Sequence, residues 1–326
     1  MDTGNKMTRR DALKRMGAAV ASVAIASSGI LSLVSCEKKG KRVILYFTGT
    51  GNCLYVARQL AGDGGELLSI PQLVKQKRFD IEADEIGSVY PIYGHMPPNM
   101  VRQFIKKVRL KADYKFAILT YGNRKCNAVE IWDEISRQAG TRFDYINTLI
   151  MVDNWLPNFD MNEQILIDKH IPENLYKIAT DLAGQKRWHE PVTGEERRQH
   201  EEFLERTGID PSTGFVLKSE KYFTVIDGCI GCGACVSVCP RGNYELTSQG
   251  VKMQGECEFC FACIQNCPQK VIRFAKNEND PFLRNGEKNQ NARYRNEHVS
   301  LMDIKRANWV IQRSNYFTGW LKPGML

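Results

Sequence analysis

The sequence lacks three features that would each point to a class of function. Beyond residue 35 it has no second long apolar stretch, so we expect the rest of the chain to be soluble. Residues 1–35 supply three of the eight net positive charges, and no polybasic run remains after them to bind nucleic acid. The five histidines have no spacing typical of a metal site; they are His95, His170, His189, His200 and His298.

The composition is that of a folded protein. Hydrophobic residues make up 43% of the 326 residues, aromatic residues 10% and charged residues 25%. A chain of this kind can bury an ordinary core, which excludes a wholly disordered or fibrous protein. At roughly 150 residues per domain, the length favours two domains. The eleven cysteines are too many to be incidental and require a function of their own.

The N-terminus has the pattern of a targeting segment. The run Thr8–Lys14 contains Arg9-Arg10 and is followed by twenty uncharged residues, Met16–Ser35, rich in Ala, Ser and Gly. It resembles the twin-arginine export signal, and the closing Leu33–Cys36 resembles a lipobox. The resemblance implies export in a folded state and lipidation of Cys36, which would anchor the protein on the extracytoplasmic face of a membrane.

An uncleaved membrane helix is the alternative, because twenty residues can just span roughly 30 Å of hydrocarbon. The paired arginines and the low leucine content favour the lipoprotein interpretation. We therefore assign residues 1–35 to a signal peptide and residues 36–40 to an anchor linker.

A cysteine repeat is the most specific motif in the chain. The pattern Cys-x2-Cys-x2-Cys-x3-Cys-Pro occurs twice, with the second copy displaced by 28 positions. Three thiolates at this spacing hold one 4Fe-4S cubane and the fourth reaches the other cluster. Disulfides and zinc fit this dense, regular spacing poorly. The pattern resembles two-cluster bacterial ferredoxins over residues 221–275, with Cys229, Cys232, Cys235 and Cys267 on one cluster and Cys257, Cys260, Cys263 and Cys239 on the other.

A strand, loop and helix open the preceding region. The apolar run Arg42–Phe47 is typical of a buried parallel strand, and an amphipathic helix follows the small, hydroxyl-rich loop Thr48–Cys53. Exposed amides and a helix N-terminus at such a loop attract phosphate. The loop is neither a dinucleotide fingerprint nor a P-loop, because Leu54 replaces the third glycine and no Gly-Lys-Ser/Thr follows.

Alternating elements predict an α/β fold with a doubly wound parallel sheet of five strands and ligand at their carboxyl ends. After the first strand, we predict strands at 66–69, 86–90, 116–120 and 146–152, and helices at 98–108, 128–135 and 172–182.

The region 41–185 resembles a flavodoxin-like domain, which implies bound FMN. Its phosphate loop matches Thr48-x-Thr50-Gly51-Asn52 and departs only at Cys53, where a hydroxyl is lost. The implied cofactor-binding residues are Thr48, Gly49, Thr50, Gly51, Asn52, Cys53, Pro91, Ile92, Tyr93, Gly94, Tyr121, Gly122 and Asn123.

Several residues in and near these loops are candidates for individual roles. Tyr93 and Tyr121 are candidates for stacking on the flavin, although a tyrosine after a strand often serves packing alone. Cys53 and Cys126 suit small buried residues better than nucleophiles, since no base is evident. A proton-donor role for His95 is a weaker alternative. No catalytic residue is identified.

The remaining two segments are predicted to be a linker and a C-terminal extension. Residues 186–220 are dense in charge and predict a solvated linker helix rather than part of a site. Residues 276–326 form a C-terminal extension, polar at first, in which Ser300-x-x-Asp303 predicts a capped helix. We expect Trp309, Tyr316, Phe317 and Trp320 to pack on the body.

The two halves together resemble bacterial flavodoxin–ferredoxin fusion proteins, and Asp153-Asn154-Trp155 fits that group. The resemblance implies an electron-transfer protein with two 4Fe-4S clusters and FMN, exchanging electrons with a redox protein or a membrane donor or acceptor. The alternative is a flavin-dependent reductase of a small molecule such as a quinone. A redox sensor is disfavoured because no output domain is recognised.

Overall fold

We describe a computed structural model over residues 40–214, 217–248 and 250–308. The predicted signal peptide and the lipidation site Cys36 lie outside the described residues, as do Trp309, Tyr316, Phe317 and Trp320. The described residues from Lys41 onward belong to one compact unit. Within the described ranges, no helix combines the length and the apolar character needed to cross a bilayer.

A parallel six-stranded sheet forms the centre of the first half. Its strands run in the order β2-β1-β4-β6-β7-β8, and a separate parallel pair joins β3 to β5. The bounds are β1 Arg42–Tyr46, β2 Glu66–Ser69, β3 Asp80–Glu82, β4 Glu85–Pro91, β5 Arg109–Lys111, β6 Tyr114–Tyr121, β7 Tyr145–Ile150 and β8 Trp188–His189.

Without the short β3–β5 pair, the first five sheet strands have the order 2-1-3-4-5, which is the flavodoxin-like order. The predicted α/β fold is therefore confirmed, and the structure adds the β3–β5 pair and a sixth strand of the main sheet. The sixth strand, β8, has only two residues, which is too short to give a hydrophobic pattern in the sequence. The sheet positions the loops after β1, β4, β6 and β7 along one edge.

Helices connect the strands of this half. They are α1 Asn52–Ala61, α2 Ile70–Gln76, α3 Asn99–Ile105, α4 Ala128–Gln138, α5 Met161–Gln164, α6 Ile171–Ala183 and α7 Gly194–Thr207. All three helices predicted after the first are present, although α3 ends at Ile105 rather than at 108. Between helix α4 and the sheet, Trp132 packs against Tyr90 and Phe143, with ring centroids 4.6 and 5.5 Å apart.

The cysteine-rich half consists of short antiparallel pairs and one-turn helices. The elements are α8 Ser219–Tyr222, α9 Ala234–Val238, α10 Ala262–Gln265, β9 Leu217–Lys218, β10 Phe223–Val225, β11 Tyr244–Thr247, β12 Gly250–Met253, β13 Glu256–Cys257 and β14 Ile272–Phe274. Strand β10 pairs with β14, β11 with β12, and β9 with β13. Together with the parallel sheet, this completes the predicted two-part architecture.

The sequence repeat is also a repeat of backbone conformation. Gly231 and Gly233 have φ values of 66°, and the positions 28 residues later, Phe259 and Phe261, both have φ of 57°. The left-handed region costs glycine nothing but is unusual for a bulky residue. The second cysteine loop therefore holds two phenylalanines in strained conformations that the first loop reaches with glycine.

The C-terminal extension returns to the parallel-sheet half. Helix α11, Leu301–Asn308, is capped as predicted, since Ser300 Oγ accepts from Asp303 N and the Asp303 carboxylate accepts from Ser300 N. Asp303 also pairs with Arg58 at 2.7 Å. The Asn308 amide donates to the carbonyl oxygens of Thr48 and Val238, joining the two halves.

Substituting Gly87→Ala tests the packing at the centre of the sheet. An added Cβ would lie 2.6 Å from Ile44 Cδ1 and from Phe116 Cε2, and both neighbours are fully buried. We expect the free energy of unfolding to fall by about 1–3 kcal/mol through overpacking. Thermal unfolding followed by circular dichroism measures the change.

Gly194→Ala is the matched control, because no heavy atom lies within 4 Å of its added Cβ at the start of α7. This variant should be unchanged or stabilised by up to about 1 kcal/mol. Equal losses at both positions would contradict the packing described for the central sheet.

Candidate functional site

A cavity of about 470 Å³ lies at the carboxyl ends of β1, β4, β6 and β7. Its volume is within the usual range for small-molecule sites. The three loops predicted from the sequence meet here, and of their residues Gly51 alone is absent from the lining. The loop residues that line the cavity are Thr48, Gly49, Thr50, Asn52, Cys53, Pro91, Ile92, Tyr93, Gly94, Tyr121, Gly122 and Asn123.

The loop after β1 is arranged as an anion cradle. Thr48 Oγ1 accepts from Gly51 N at 3.1 Å, and Gly51, with φ of 100°, is the N-cap residue before helix α1. Within the described structure no side chain caps this helix, so its first amides remain available to a ligand. Asn154 donates to Thr50 Oγ1 at 2.6 Å and fixes that hydroxyl at the cavity. Loop and helix terminus together fit a phosphate group.

Cys53 is a packed thiol in this cradle. Its Sγ lies 3.1 Å from Thr120 Oγ1, and burial raises the pKa of Cys53 to about 12. A thiol with such a pKa stays protonated at neutral pH, and protonated thiols are poor nucleophiles. Cys53 can still supply a weak hydrogen bond where the flavodoxin-type loop has a hydroxyl.

Asn52 joins the cradle to the C-terminal extension. Its side-chain nitrogen donates to Val152 O at 3.2 Å, while its oxygen accepts from Tyr294 OH at 2.6 Å and from Asn296 Nδ2 at 3.3 Å. Asn296 N also donates to Thr50 O. Sequence reasoning missed this role of the extension, because 242 residues separate Asn52 from Tyr294 and no local pattern links them.

The loops after β4 and β6 form the sides of the cavity. Tyr93 exchanges backbone hydrogen bonds with Met96 in a tight turn. Gly122 has no room for a side chain, since an added Cβ would lie 2.5 Å from Asp153 Cα. Burial raises the pKa of Tyr93 well above its usual value, with smaller contributions from the neighbouring Cys260 and Cys53. Tyr93 therefore lies between the cavity and the cysteine loops.

Trp155 closes the cavity on the cysteine-rich side. Its ring stacks on Phe261 with centroids 5.4 Å apart and meets Phe259 edge-on at 5.5 Å. These two phenylalanines flank Cys260 in the sequence, and all three rings line the cavity. The strained backbone of the second cysteine loop thus places two aromatic rings against the candidate flavin site.

The eight repeat cysteines surround two smaller cavities. One, the outer group, is formed by Cys229, Cys232, Cys235 and Cys267; the other, the inner group, is formed by Cys239, Cys257, Cys260 and Cys263. This is the grouping predicted from the spacing. Among the described residues, no three His, Cys, Asp or Glu side chains are arranged for a single metal ion.

The two groups differ in exposure. Cys232 of the outer group is exposed, whereas Cys239, Cys260 and Cys263 of the inner group are buried. Burial raises the pKa of Cys257 to about 12 and those of Cys260 and Cys263 well above the usual thiol value. Metal ligation requires thiolates, so a cationic metal centre would have to displace these protons.

Backbone amides also point at the inner sulfurs. Asn243 N lies 3.4 Å from Cys239 Sγ, and Phe259 N lies 3.3 Å from Cys257 Sγ. Hydrogen bonds from backbone amides to cysteine sulfurs tune the reduction potential of iron–sulfur clusters. Four thiols with amide donors around a small cavity fit an iron–sulfur cluster in their chemistry.

Glu258 attaches the inner group to the parallel-sheet half. This carboxylate is 2% exposed and accepts from Met100 N, in the first turn of α3, at 3.0 Å. Arg241 donates to Glu258 at 2.5 Å, which compensates part of the burial cost. Desolvation raises the pKa of Glu258, although the Arg241 charge opposes that rise.

Helix α7 contributes to the cavity, which corrects the prediction of a solvated linker apart from any site. Phe203, Arg206 and Thr207 line the cavity. On the same helix, the His200 ring is buried with its Nδ1 3.3 Å from Nδ1 of His95. The many charged residues of this segment mask the few positions that turn inward. Of these, His200 is buried, and Phe203 packs against the His95 ring.

Comparisons with known proteins agree with the cysteine motif. A family model described as a 4Fe-4S dicluster domain matches residues 222–268. A ferredoxin from Pyrobaculum islandicum is 40% identical over 59 residues, which is 18% of this chain and 55% of that protein. One component of an ion-translocating oxidoreductase complex from Methanosarcina acetivorans is 44% identical over 46 residues, 14% of this chain and 17% of that protein.

These curated relatives thus match the chain over about half of their own length or less. Among solved structures, a flavoprotein from Lactobacillus acidophilus in complex with FMN is 16% identical, with a TM-score of 0.26 over 34% of this chain and 93% of that one. The flavodoxin-like fold of this half rests on its strand order. The chain therefore combines a flavodoxin-like fold with a 4Fe-4S dicluster domain.

The paired histidines predict a loss of stability on acidification. Burial, then the charges of His200, Arg124 and Arg206, lower the pKa of His95 to about 3, and burial lowers the pKa of His200. Because both pKa values are lower in the folded state, the stabilisation is present above the unfolded value near 6.5 and is lost as the pH falls below it. We expect the melting temperature to fall between about pH 7 and about pH 5.

His95→Asn should reduce this pH dependence, since asparagine tolerates the left-handed backbone of position 95 and does not titrate. His170→Asn is the control, because His170 shares a positive φ but is exposed. Melting curves at several pH values measure the effect. An unchanged slope in His95→Asn would show that the pair does not bear the acid sensitivity.

Proposed function

We propose that this protein transfers electrons between two 4Fe-4S clusters and a bound FMN. The 4Fe-4S dicluster match and the cysteine grouping support the clusters. The cradle after β1 and the two flanking loops support FMN, whose phosphate would meet the amides and hydroxyls of residues 48–53. FMN supplies a centre that exchanges electrons singly or in pairs.

The close approach of the inner cysteine group to the cavity is the observation that carries the proposal. A Cβ on Gly49, in the phosphate loop, would overlap the carbonyl oxygen of Cys260. Tyr93 lines the cavity and also lies within electrostatic range of Cys260. The proposed inner cluster and the proposed flavin are therefore neighbours across one layer of side chains.

Exposure suggests an order for the relay. Cys232 in the outer group is exposed, and Ile230 beside it is 64% exposed. Three of the four inner cysteines are buried. The inner group lies next to the outer group, because α9, which carries Cys235, contacts α10, which carries Cys263. We infer that a redox partner exchanges electrons at the outer cluster and that the inner cluster connects it to FMN.

A reductase is the second candidate function. The cavity is lined by residues outside the three predicted flavin loops, among them Phe203, Arg206 and Arg284. A pure carrier needs only an accessible flavin edge, whereas an enzyme needs a concave site with placed polar groups. In this function the flavin would reduce a small molecule such as a quinone with electrons from the clusters.

We also propose that the protein is exported by the twin-arginine route and anchored through a lipid on Cys36. The sequence motif at Leu33–Cys36 and the net charge of residues 1–35 support this location. Folded export suits clusters that have to be inserted before translocation. The partner would be a redox protein or a membrane electron donor or acceptor, and nucleic acid is not expected to bind.

Cluster-ligand variants test the relay. The purified, anaerobic protein should contain about eight irons and one FMN per chain. Cys232→Ala should lose the outer cluster and keep FMN, and reduction of FMN by a donor protein too large for the cavity should slow by about tenfold or more, a barrier increase of about 1.4 kcal/mol. Stopped-flow absorbance separates flavin reduction from cluster bleaching.

Cys126→Ala is the control, because its buried thiol belongs to neither cysteine group. It should keep iron, FMN and the wild-type rate. Absence of FMN would remove the flavin half of the proposal, and an undiminished rate in Cys232→Ala would remove the relay order.

Cys36→Ser tests the anchor in the full chain. Without the thiol no lipid can be attached, so the protein should move from the membrane fraction to the soluble fraction after cell lysis. Immunoblotting of the two fractions, with Cys53→Ser as the thiol control, measures this. A membrane association that persists in Cys36→Ser would favour the uncleaved helix instead.

A further inference from the structure

Positive charge collects on the lining of the large cavity. Arg124, Arg206 and Arg284 all line it and all are exposed. No described carboxylate forms an ion pair with any of the three. Asp153 is the one acidic residue in the lining, and burial raises its pKa. Three guanidinium groups and one largely desolvated carboxyl leave the cavity electropositive.

Two of these arginines share one end of the cavity. The Arg206 guanidinium lies 5.9 Å from the centroid of the Phe203 ring, and that ring meets His95 with centroids 4.8 Å apart. Arg124, in the loop after β6, lines the same cavity, and the charges of Arg124 and Arg206 both lower the pKa of His95. This end, which we call the arginine end, is formed by α7 and the loops after β4 and β6.

The phosphate cradle does not use these arginines. It supplies its own donors through the hydroxyls of Thr48 and Thr50 and the uncapped amides of α1. Arg206 belongs to α7, and Arg284 to the segment after β14, so neither residue lies in a loop implied for FMN. The positive charge is therefore left for a second anionic group.

Because these guanidinium groups have no carboxylate partner in the described part of the chain, their charges repel one another, and an anion bound among them removes that cost. Guanidinium groups match a carboxylate in geometry, with two parallel N–H donors for its two oxygens. Beside Arg206, Phe203 provides an apolar wall suited to a flat ring. The arrangement selects for a planar molecule with a carboxylate at one edge.

We propose that the arginine end binds a small aromatic carboxylate next to the FMN site. This inference rests on the proposed function and deepens its reductase form, because it names the class of small molecule that the cavity accepts. The location inside a concave cavity favours a small molecule over an acidic protein, for which the positive charge would have to lie on a flat, accessible surface.

Binding to the FMN-loaded holoprotein tests the proposal. Benzoate and 2-naphthoate serve as probes, and benzamide and 2-naphthamide are their uncharged counterparts. We expect saturable perturbation of the flavin absorbance and a calorimetric binding signal with both carboxylates and neither with the amides. Arg206→Gln and Arg124→Gln should each weaken carboxylate binding by about tenfold, because each removes a charge-assisted hydrogen-bond donor.

Arg78→Gln is the matched control, since Arg78 is exposed, lies outside the cavity lining and changes the net charge equally. It should bind the carboxylates like the wild type. Equal binding of amides and carboxylates, equal weakening in Arg78→Gln, or binding of an acidic peptide without binding of the carboxylates would overturn the proposal.

Flavin and iron contents are measured first, so failure of the two proposals can be separated. A preparation without FMN refutes the flavin site, and calorimetry with the carboxylates still reports on the arginine end. A preparation with FMN that gives no calorimetric signal with either carboxylate refutes the aromatic carboxylate alone.

Discussion

The contact between the phosphate loop and the inner cysteine loop is the constraint on which the arrangement of the site depends. The Cys260 carbonyl occupies the space that a side chain at position 49 would need. Any residue other than glycine would push apart the cradle and the cysteine loop. Glu258, two residues earlier, fixes the same loop by accepting from Met100 N. The absence of a side chain at Gly49 and the buried carboxylate of Glu258 thus bring the phosphate loop and the inner cysteine loop into contact.

Local spacing made much of this predictable. Cysteine ligands two or three residues apart have to point at a common centre, and the cysteines assigned to each group from the spacing line one cavity each. The strands were equally predictable from the sequence, because buried parallel strands are continuous apolar runs. The roles of Tyr294, Asn296 and Phe203 were not predictable, since each reaches the cavity through contacts distant in sequence. The segments that contain these three residues are polar, a pattern that predicts a linker or a tail.

The 28-residue repeat shows how duplicated loops acquire different roles. Gly231 and Gly233 leave the outer loop without side chains at the left-handed positions, and solvent reaches Cys232. Phe259 and Phe261 occupy the equivalent positions of the inner loop and pack around Trp155. The aromatic rings exclude water from one side of the inner group, and solvent exposure is one of the factors that set a cluster's potential. Two nearly identical motifs therefore provide two unlike environments.

The same asymmetry extends to the cavity itself. At the cysteine side its wall is aromatic and apolar, whereas at the arginine end the wall carries positive charge next to a neutral histidine pair. A buried imidazole beside two guanidinium groups stays uncharged because protonation would add a third positive charge in a poorly solvated place. The charge that the arginine end presents to a ligand therefore comes from the arginines, and it persists across the neutral pH range. A carrier that only exposed a flavin edge would have no need of that charge.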